Sequence, residues 1–239
     1  MRYLCVLLSL LWSVQLAGQT PTTARTVSIG SFDHIRVERP FDVHVTMGLP
    51  CAKIAGTRAD SDVVVRVDGA TLSVRKNTSS WGERPRGVSS SPSIVTLSTP
   101  QLISASVAAG GQLKIAKMRG MRIDVTGSGS SSLALIAADT DQLNATVIGP
   151  GSMMVAGKAG RARLVTSGAG MIDASGLDVK DLTVHLDDVG ETKASALYTA
   201  QVTNSGLGTV TITGDAKCLV DVAARGPVTC WKPRAVAAP

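Results

Sequence analysis

The sequence predicts an all-β protein whose single chain winds into a parallel β-helix, a solenoid with a strand or hairpin cap at its N-terminal end. Two observations predict this fold: a glycine-containing unit that recurs about every 19 residues, and alternating apolar and polar residues between the glycines. Such a period is typical of solenoids, whose units bury their apolar faces only against neighbouring units. Alternation that favours Val, Ile and Thr indicates short strands rather than helices.

The repeated unit places apolar residues on both sides of a Gly-x-Gly turn, as in residues 147–153 (VIGPGSM). We expect these turns at the corners of the coil, where glycine allows a positive φ or close backbone approach without steric cost. Asp188 replaces the first glycine in one copy, and Asp tolerates the left-handed region better than most residues. The anchoring glycines, 18, 22, 19, 20, 18 and 18 residues apart, are Gly111, Gly129, Gly151, Gly170, Gly190, Gly208 and Gly226.

Stacking the copies on one another predicts two inward columns of side chains, because each coil of about 19 residues accommodates three short strands and their corners. The first column consists of Leu113, Met153, Ile172, Val210 and Val228. The second column consists of Ile115, Leu133, Val155, Ala174, Ala194, Ile212 and Cys230.

The part of the chain before the repeats has a different character. Residues 27–104 alternate in several short runs, and Asp68-Gly69 is typical of a tight hairpin turn. We therefore predict one domain over residues 27–231, with an N-terminal cap and first strands at 27–104 and the repeats at 105–231. Residues 232–239 are expected to form a flexible tail.

The first residues have the pattern of a secretory signal. Met1-Arg2 is followed by an apolar run from Leu4 to Leu11, and small residues near position 18 precede a polar segment. We predict a signal peptide at residues 1–18 and a linker at 19–26. The protein is then expected to be exported, to the periplasm or to the cell surface and extracellular space, with no transmembrane segment after cleavage.

The sequence resembles the GIN domain of exported bacterial proteins, which are described as autotransporter-adhesin heads. The resemblance rests on residues 32–37 (FDHIRV), 41–45 (FDVHV) and 99–102 (TPQL), together with the serial turns at 125–129 and 165–170. It implies a right-handed β-helix and an adhesin-like role outside the cytoplasm. Family repeats commonly carry Asp after the turn glycine, whereas this sequence largely lacks such an acidic ladder.

The carboxylates do not predict an active site. Asp187, Asp188 and Glu191 form the densest group, but their equivalents in neighbouring repeats, such as Ala169 and Ser205, are small. Glycosidases need two carboxyls at a set separation, and calcium rolls need Asp in register in every turn. We therefore expect these residues to be solvated corner residues, with a lone calcium site beside them as the alternative, and predict no enzyme activity, metal or cofactor.

Composition argues against nucleic-acid binding. Aromatic residues make up 3% of the chain and the formal net charge is +6, with the basic residues scattered rather than arranged in a stripe. His44 and His185 alternate with apolar neighbours and are expected at the surface. The sharper binding hypothesis concerns residues 76–92, interpreted as a mobile polar loop, in which Lys76, Trp81, Arg84 and Arg86 would contact a partner.

Three cysteines remain after removal of the predicted signal peptide: Cys51, Cys218 and Cys230. Export permits a disulfide, and Cys218 and Cys230 both fall in the final coil. We predict that these two form a bridge that locks the last coil. Cys51 is then expected to be a buried structural thiol.

The leading functional hypothesis is a non-catalytic binding module whose flat Ser/Thr-rich faces contact a cell-surface polymer or an envelope protein. The second is a structural envelope protein without a dedicated ligand. The third is a β-helix enzyme that acts on polysaccharide. A saturable ligand would favour the first hypothesis over the second, and glycan turnover would favour the third.

Overall fold

A computed structural model describes residues 24–38, 41–55, 63–76, 94–221 and 224–231. The described residues contain nineteen strands. The first nine are β1 (Ala24–Val27), β2 (His34–Glu38), β3 (Asp42–Met47), β4 (Cys51–Ala55), β5 (Val63–Asp68), β6 (Thr71–Lys76), β7 (Ile94–Thr99), β8 (Ser104–Ala108) and β9 (Gln112–Ile115). The others are β10 (Met118–Ser128), β11 (Ser132–Ile148), β12 (Ser152–Ser167), β13 (Met171–Ala174), β14 (Leu177–Asp187), β15 (Glu191–Ser195), β16 (Thr199–Asn204), β17 (Thr209–Thr213), β18 (Lys217–Val220) and β19 (Val228–Trp231).

The strands stack in parallel into a three-faced coil, which confirms the predicted β-solenoid. Face A runs from β2 through β8, β10, β11, β12, β14 and β16 to β18. Face B runs from β3 through β9, β11, β12, β13, β15 and β17 to β19. Face C consists of the first residues of β10 and β14 and the middle segments of β11 and β12. Each coil therefore passes through faces C, A and B in that order.

The observed register gives the length of each coil. The successive partners along one column of face A, all of them buried, are Val125, Ala145, Leu164, Val184 and Val202. Side-chain hydrogen bonds between adjoining coils likewise join Asp124 to Asn144, at a sequence separation of 20, and Asp181 to Thr199, at a separation of 18. The predicted repeat period is thus confirmed. Among the described residues, no helix has the length and apolar character needed to cross a bilayer.

One coil departs from the predicted alignment. Ser132 pairs with Gln112 and Ser152, so Ser131, not Gly129, is equivalent to Gly111 and Gly151. Gly129 instead occupies the left-handed position of the turn, with a φ of 65°. Gly149 and Asp188 occupy the same position in other coils, with φ values of 93° and 82°. The uneven spacings predicted on either side of Gly129 are therefore wrong, because the turn of this coil reads Gly-Ser-Ser rather than Gly-Ser-Gly.

The same shift corrects the inward columns. Leu133 belongs to the first column, and Leu135 takes the place in the second column that the sequence analysis gave to Leu133. The first column is Leu113, Leu133, Met153, Ile172, Thr192, Val210 and Val228. Thr192 is buried within it, and its hydroxyl lies 2.9 Å from the hydroxyl of buried Thr166, which satisfies both groups.

The N-terminal strands close the first coil. The β5–β6 hairpin turns at Gly69 and Ala70, one residue later than the predicted Asp68-Gly69 turn, because Asp68 still pairs with Thr71. Gly69 has a φ of 61°, and β6 extends face A beside β2. On the other side, β7 extends face B beside β3, and β4 and β1 follow it in antiparallel order. Residues 24–26, which we expected in a linker, lie in β1 because they pair with β4.

A disulfide links Cys218 and Cys230 at the C-terminal end of the described coil, with the two Cα atoms 6.4 Å apart. Cys218 stacks on Ala200 in face A, and Cys230 stacks on Ile212 in face B. The bridge therefore joins two faces at the end of the apolar interior. Cys51 carries a free thiol and is half-buried rather than buried as expected.

Candidate functional site

The predicted binding loop lies mostly outside the described residues. This applies to Trp81, Arg84 and Arg86, so their role stays a hypothesis. Lys76 is described as the last residue of β6, where it pairs with Val63 of the hairpin. The described structure therefore shows a single member of this set.

The candidate site is an open groove along the corner where face C meets face A. It has a volume of about 580 Å³. We call it the edge groove and define it by Met121, Arg122, Asp141, Gln142, Gly160, Arg161, Lys180 and Asp181. These residues come from β10, β11, β12 and β14, so the groove runs across four successive coils in the direction of the solenoid axis.

Gly160 produces a notch in the middle of the edge groove. Asp141 and Lys180 occupy the same corner position as Gly160 in the two adjoining coils. Each of them directly precedes a residue that pairs with Arg161 on face A. Both have charged side chains, whereas Gly160 has none. A Cβ atom at Gly160 would lie 2.9 Å from the backbone oxygen of Asp141, closer than carbon and oxygen normally approach. Close coil packing therefore requires glycine here, and no side chain at this position stands between those of Asp141 and Lys180.

One end of the groove holds a paired charge network. The Arg122 guanidinium donates to the Asp124 carboxylate, with an Nε–Oδ2 distance of 3.1 Å, and Asn144 donates to the same carboxylate at 2.7 Å. Burial alone would raise the pKa of Asp124, but these hydrogen bonds and the charge of Arg122 outweigh it and lower the pKa below its ordinary value. Arg122 is therefore largely neutralised within the protein.

The other cations of this region have no such partners. Within the described part of the chain, Arg161, Arg163 and Lys180 make no side-chain hydrogen bond or ion pair. Arg163 lies beside Asn144 and Thr183 in a second depression of about 240 Å³, which shares Gln142, Arg161 and Asp181 with the edge groove. All three cations are exposed. Their hydrogen-bond donors thus face solvent and are available to a ligand.

Acceptors and apolar surface complete the groove. Asp181 accepts a hydrogen bond from Thr199 at 2.7 Å, while Asp141 has no side-chain partner among the described residues. Met121 is 82% exposed at one end of the corner column, and Tyr198, 64% exposed, follows Lys180 at the other end. The groove thus combines cations, carboxylates, an amide and the exposed side chain of Met121, with Tyr198 just beyond its other end, a mixture suited to a polar ligand of some length.

The corner carboxylates singled out from the sequence do not converge on one point. Asp187 is bonded to Ser205 and lies 3.2 Å from His185, whereas Glu191 pairs with Lys193 at 2.9 Å. Among the described residues, no cluster of three or more His, Cys, Asp or Glu side chains is arranged to hold a metal ion. These carboxylates therefore interact with separate neighbours on the surface.

The histidines lie at the surface, as the strand alternation predicts. His44 and His185 each lie beside a carboxylate two residues away on the same strand, Asp42 at 3.0 Å and Asp187 at 3.2 Å. Their side chains are 39% and 37% exposed. His34 is likewise bonded to Asp33.

Sequence reasoning missed the edge groove. Arg161 and Lys180 lie one coil apart, but neither belongs to the glycine repeat that predicts the fold. Tyr198 is also absent from the predicted site, although it was among the few aromatic residues. The usable signal was the alternation at residues 161–163 (RAR), which places two arginines on one outward strand face.

Comparison with known proteins identifies the family. The model of the family described as "Putative auto-transporter adhesin, head GIN domain" matches residues 31–216, well over half of the chain. The chain belongs to the GIN domain family. The resemblance inferred from the sequence is therefore confirmed. No curated protein matches this GIN domain chain at a significant level.

Solved structures share the fold of this GIN domain. A "putative adhesin" from Bacteroides fragilis NCTC 9343 has a TM-score of 0.80 at 18% identity, over 89% of this chain and 98% of that chain. A "putative lipid binding protein" from Parabacteroides distasonis ATCC 8503 has a TM-score of 0.70 at 16% identity, over 87% and 96% of the chains. A "putative adhesin" from Parabacteroides merdae ATCC 43184 has a TM-score of 0.66 at 16% identity, over 87% and 95%. At these identities the likeness shows the fold alone.

Proposed function

We propose that this GIN domain protein is an exported, non-catalytic binding module of the bacterial cell envelope that holds an extended polymer in the edge groove. The observation that carries the proposal is the set of exposed cations without internal partners, Arg161, Arg163 and Lys180, beside a notch at Gly160. A groove that crosses four coils suits a chain-like ligand, because each coil adds about 4.8 Å along the axis.

The geometry supports binding rather than turnover. The edge groove is an open corner of the coil and its carboxylates, Asp141 and Asp181, are exposed. Active sites instead shift the pKa of their acids and bases by burial and exclude water from the reacting atoms. The names of two structural neighbours, both "putative adhesin", agree with a binding role.

Export belongs to the same proposal. The basic start and apolar run within residues 1–18 support a secretory signal, and the disulfide between Cys218 and Cys230 suits an oxidising compartment. Protease treatment of intact cells would separate the two destinations. Digestion of the protein on intact cells supports surface display, whereas protection until the outer membrane is opened supports the periplasm.

Binding of purified protein to isolated envelope polysaccharide tests the proposal. We expect saturable binding by the wild type and a strong loss in the double variant Arg161→Ala/Lys180→Ala. The matched control is Arg36→Ala/Lys114→Ala, which removes one exposed arginine and one exposed lysine without side-chain partners from faces A and B, away from the groove. Equal binding by all three proteins would contradict the proposal, as would cleavage of the polymer.

A further inference from the structure

The charges of the edge groove are mixed, and this restricts its ligand. Arg161 and Lys180 lie on either side of the Gly160 notch, but Asp141 and Asp181 line the same groove. Two fixed carboxylates repel a ligand of high negative charge density at this distance. The same carboxylates accept hydrogen bonds from hydroxyl groups. The groove therefore favours separate negative charges set among hydroxyls over a dense row of charges.

The cations favour carboxylates as the negative groups. The guanidinium of Arg161 is planar and can donate two parallel hydrogen bonds to one carboxylate, while the Lys180 ammonium adds a compact charge beside it. Neither side chain has a partner within the described residues, so binding need not break an internal ion pair. The amide of Gln142, the face A neighbour of Arg161, supplies both a donor and an acceptor for adjacent hydroxyls.

A third cation, Arg163, lies close to Arg161. Arg163 is two residues after Arg161 on β12 and points to the same side of the strand, so their Cα atoms are about 7 Å apart. Asn144 and Thr183, the neighbours of Arg163 in the adjoining coils, offer further polar groups. A chain with repeated carboxylates can thus contact both arginines, whereas one small acid can fill only one position.

We propose that the edge groove binds an acidic polysaccharide, a polymer of hydroxylated sugars that carry carboxylates. One carboxylate lies in the notch at Gly160 between Arg161 and Lys180, and another reaches Arg163. Asp141, Gln142 and Asp181 bind the hydroxyls of the sugars between them. This inference rests on the proposed polymer-binding function and adds the chemical class of the ligand.

The test uses polygalacturonate and the same polymer with its carboxylates methyl-esterified, which keeps the sugar backbone and removes the charge. We expect the wild type to bind polygalacturonate at least tenfold more tightly than the ester, with affinity falling as salt is raised. Arg161→Ala and Lys180→Ala should each weaken binding about tenfold, the loss expected for one charge-assisted hydrogen bond. Arg161→Lys should recover only part of that loss, because the charge returns without the planar fork.

Polymers with dense charges distinguish carboxylate recognition from nonspecific attraction to polyanions. Polyphosphate and dextran sulfate, which have dense charges, should bind more weakly than polygalacturonate. Equal or tighter binding of these two, unchanged in Arg161→Ala, would overturn the inference in favour of nonspecific attraction to polyanions. Groove-dependent binding of the ester at the affinity of the acid would overturn the carboxylate assignment and leave polymer binding intact. Binding of no polysaccharide, with groove-dependent capture of an envelope protein instead, would overturn both.

Discussion

Several glycines at the corner between faces A and B are among the tightest residues of the described fold. There the turns of successive coils stack backbone on backbone, which leaves no space for a Cβ atom at the stacked glycines. A Cβ atom at Gly208 would lie 2.1 Å from the backbone oxygen of Gly190 and 2.8 Å from a methyl group of Leu186. The repeat glycines are thus explained by coil packing, and they need no phosphate or other ligand.

Gly208→Ala is accordingly expected to destabilise the protein by about 3 kcal/mol, since overpacking a close contact forces the backbone to shift. Urea unfolding followed by circular dichroism would measure this change. Gly30→Ala is the matched control, because nothing lies within 4 Å of its added Cβ atom and its φ is not positive. Equal stability of the two variants would contradict the stacking account.

Asp124 is a second residue whose environment has a measurable consequence. Its folded pKa lies below the ordinary value of 3.8 because hydrogen bonds from Arg122 and Asn144 outweigh burial. The unfolded chain therefore takes up this proton at a higher pH than the folded chain does. The ionised form stabilises the protein above pH 3.8, and that contribution disappears as the pH falls through the folded pKa.

Asp124→Asn should therefore cost stability at pH 7 but not at a pH well below 3.8. The cost should stay below about 1 kcal/mol, because the Asp124 side chain is 42% exposed and solvent screens its pair with Arg122. Urea midpoints of variant and wild type across pH 2 to 7 measure the difference. Asp178→Asn, at an exposed position without a side-chain partner, should show no such trend. A cost independent of pH would contradict the assignment.

At the scale of the elements, the final coil is the weakest part of the described stack. Strands β18 and β19 each pair on one side only, with β16 and β17, and their side chains are mostly exposed. In a solenoid each coil is stabilised mainly by its neighbours, so the last coil has half the usual contacts. The disulfide between Cys218 and Cys230 ties these two strands together.

Reduction of this disulfide should therefore increase amide hydrogen exchange in β18 and β19 while leaving β11 unchanged. A bridge across 12 residues is expected to contribute about 3 kcal/mol to the local stability. Cys51→Ser serves as the control and should not alter exchange in these strands. Thiol titration of the unreduced, denatured chain without residues 1–18 should find one thiol. Three thiols, or identical exchange before and after reduction, would contradict the account.

The strands and corners were largely predictable because their signals are local. Alternating Val, Ile and Thr and a recurring glycine turn each result from the packing of a single coil. The placement of Leu133 was wrong because the sequence offers two glycines, Gly127 and Gly129, for the first turn position of this coil. Only the pairing of Ser132 with the adjoining coils shows that Gly129 occupies that position. Residue 131 is a serine where the other coils have glycine, so the repeat pattern itself was misleading.

At the scale of the molecule, the described coils form a three-faced solenoid, and the candidate site depends on these coils being in register. Arg122, Gln142, Arg161 and Asp181 come from four coils and become neighbours only because those coils are nearly equal in length and pair in one continuous register. Inserting or deleting one residue in any of these coils would shift its register and turn one of these side chains inward. The alternation at residues 161–163 indicated two outward arginines, but the groove around them was not predictable without the register, whereas the fold that builds it was.

We propose the edge groove as the binding surface of the protein. Hydrogen exchange measured with and without solubilised envelope polysaccharide tests it most directly, because it reports on every face at once. We predict protection at residues 119–124, 139–144, 158–163 and 178–183, the segments that form the corner between faces C and A. Protection confined to face B, or no protection at a polymer concentration that saturates binding, would contradict the claim.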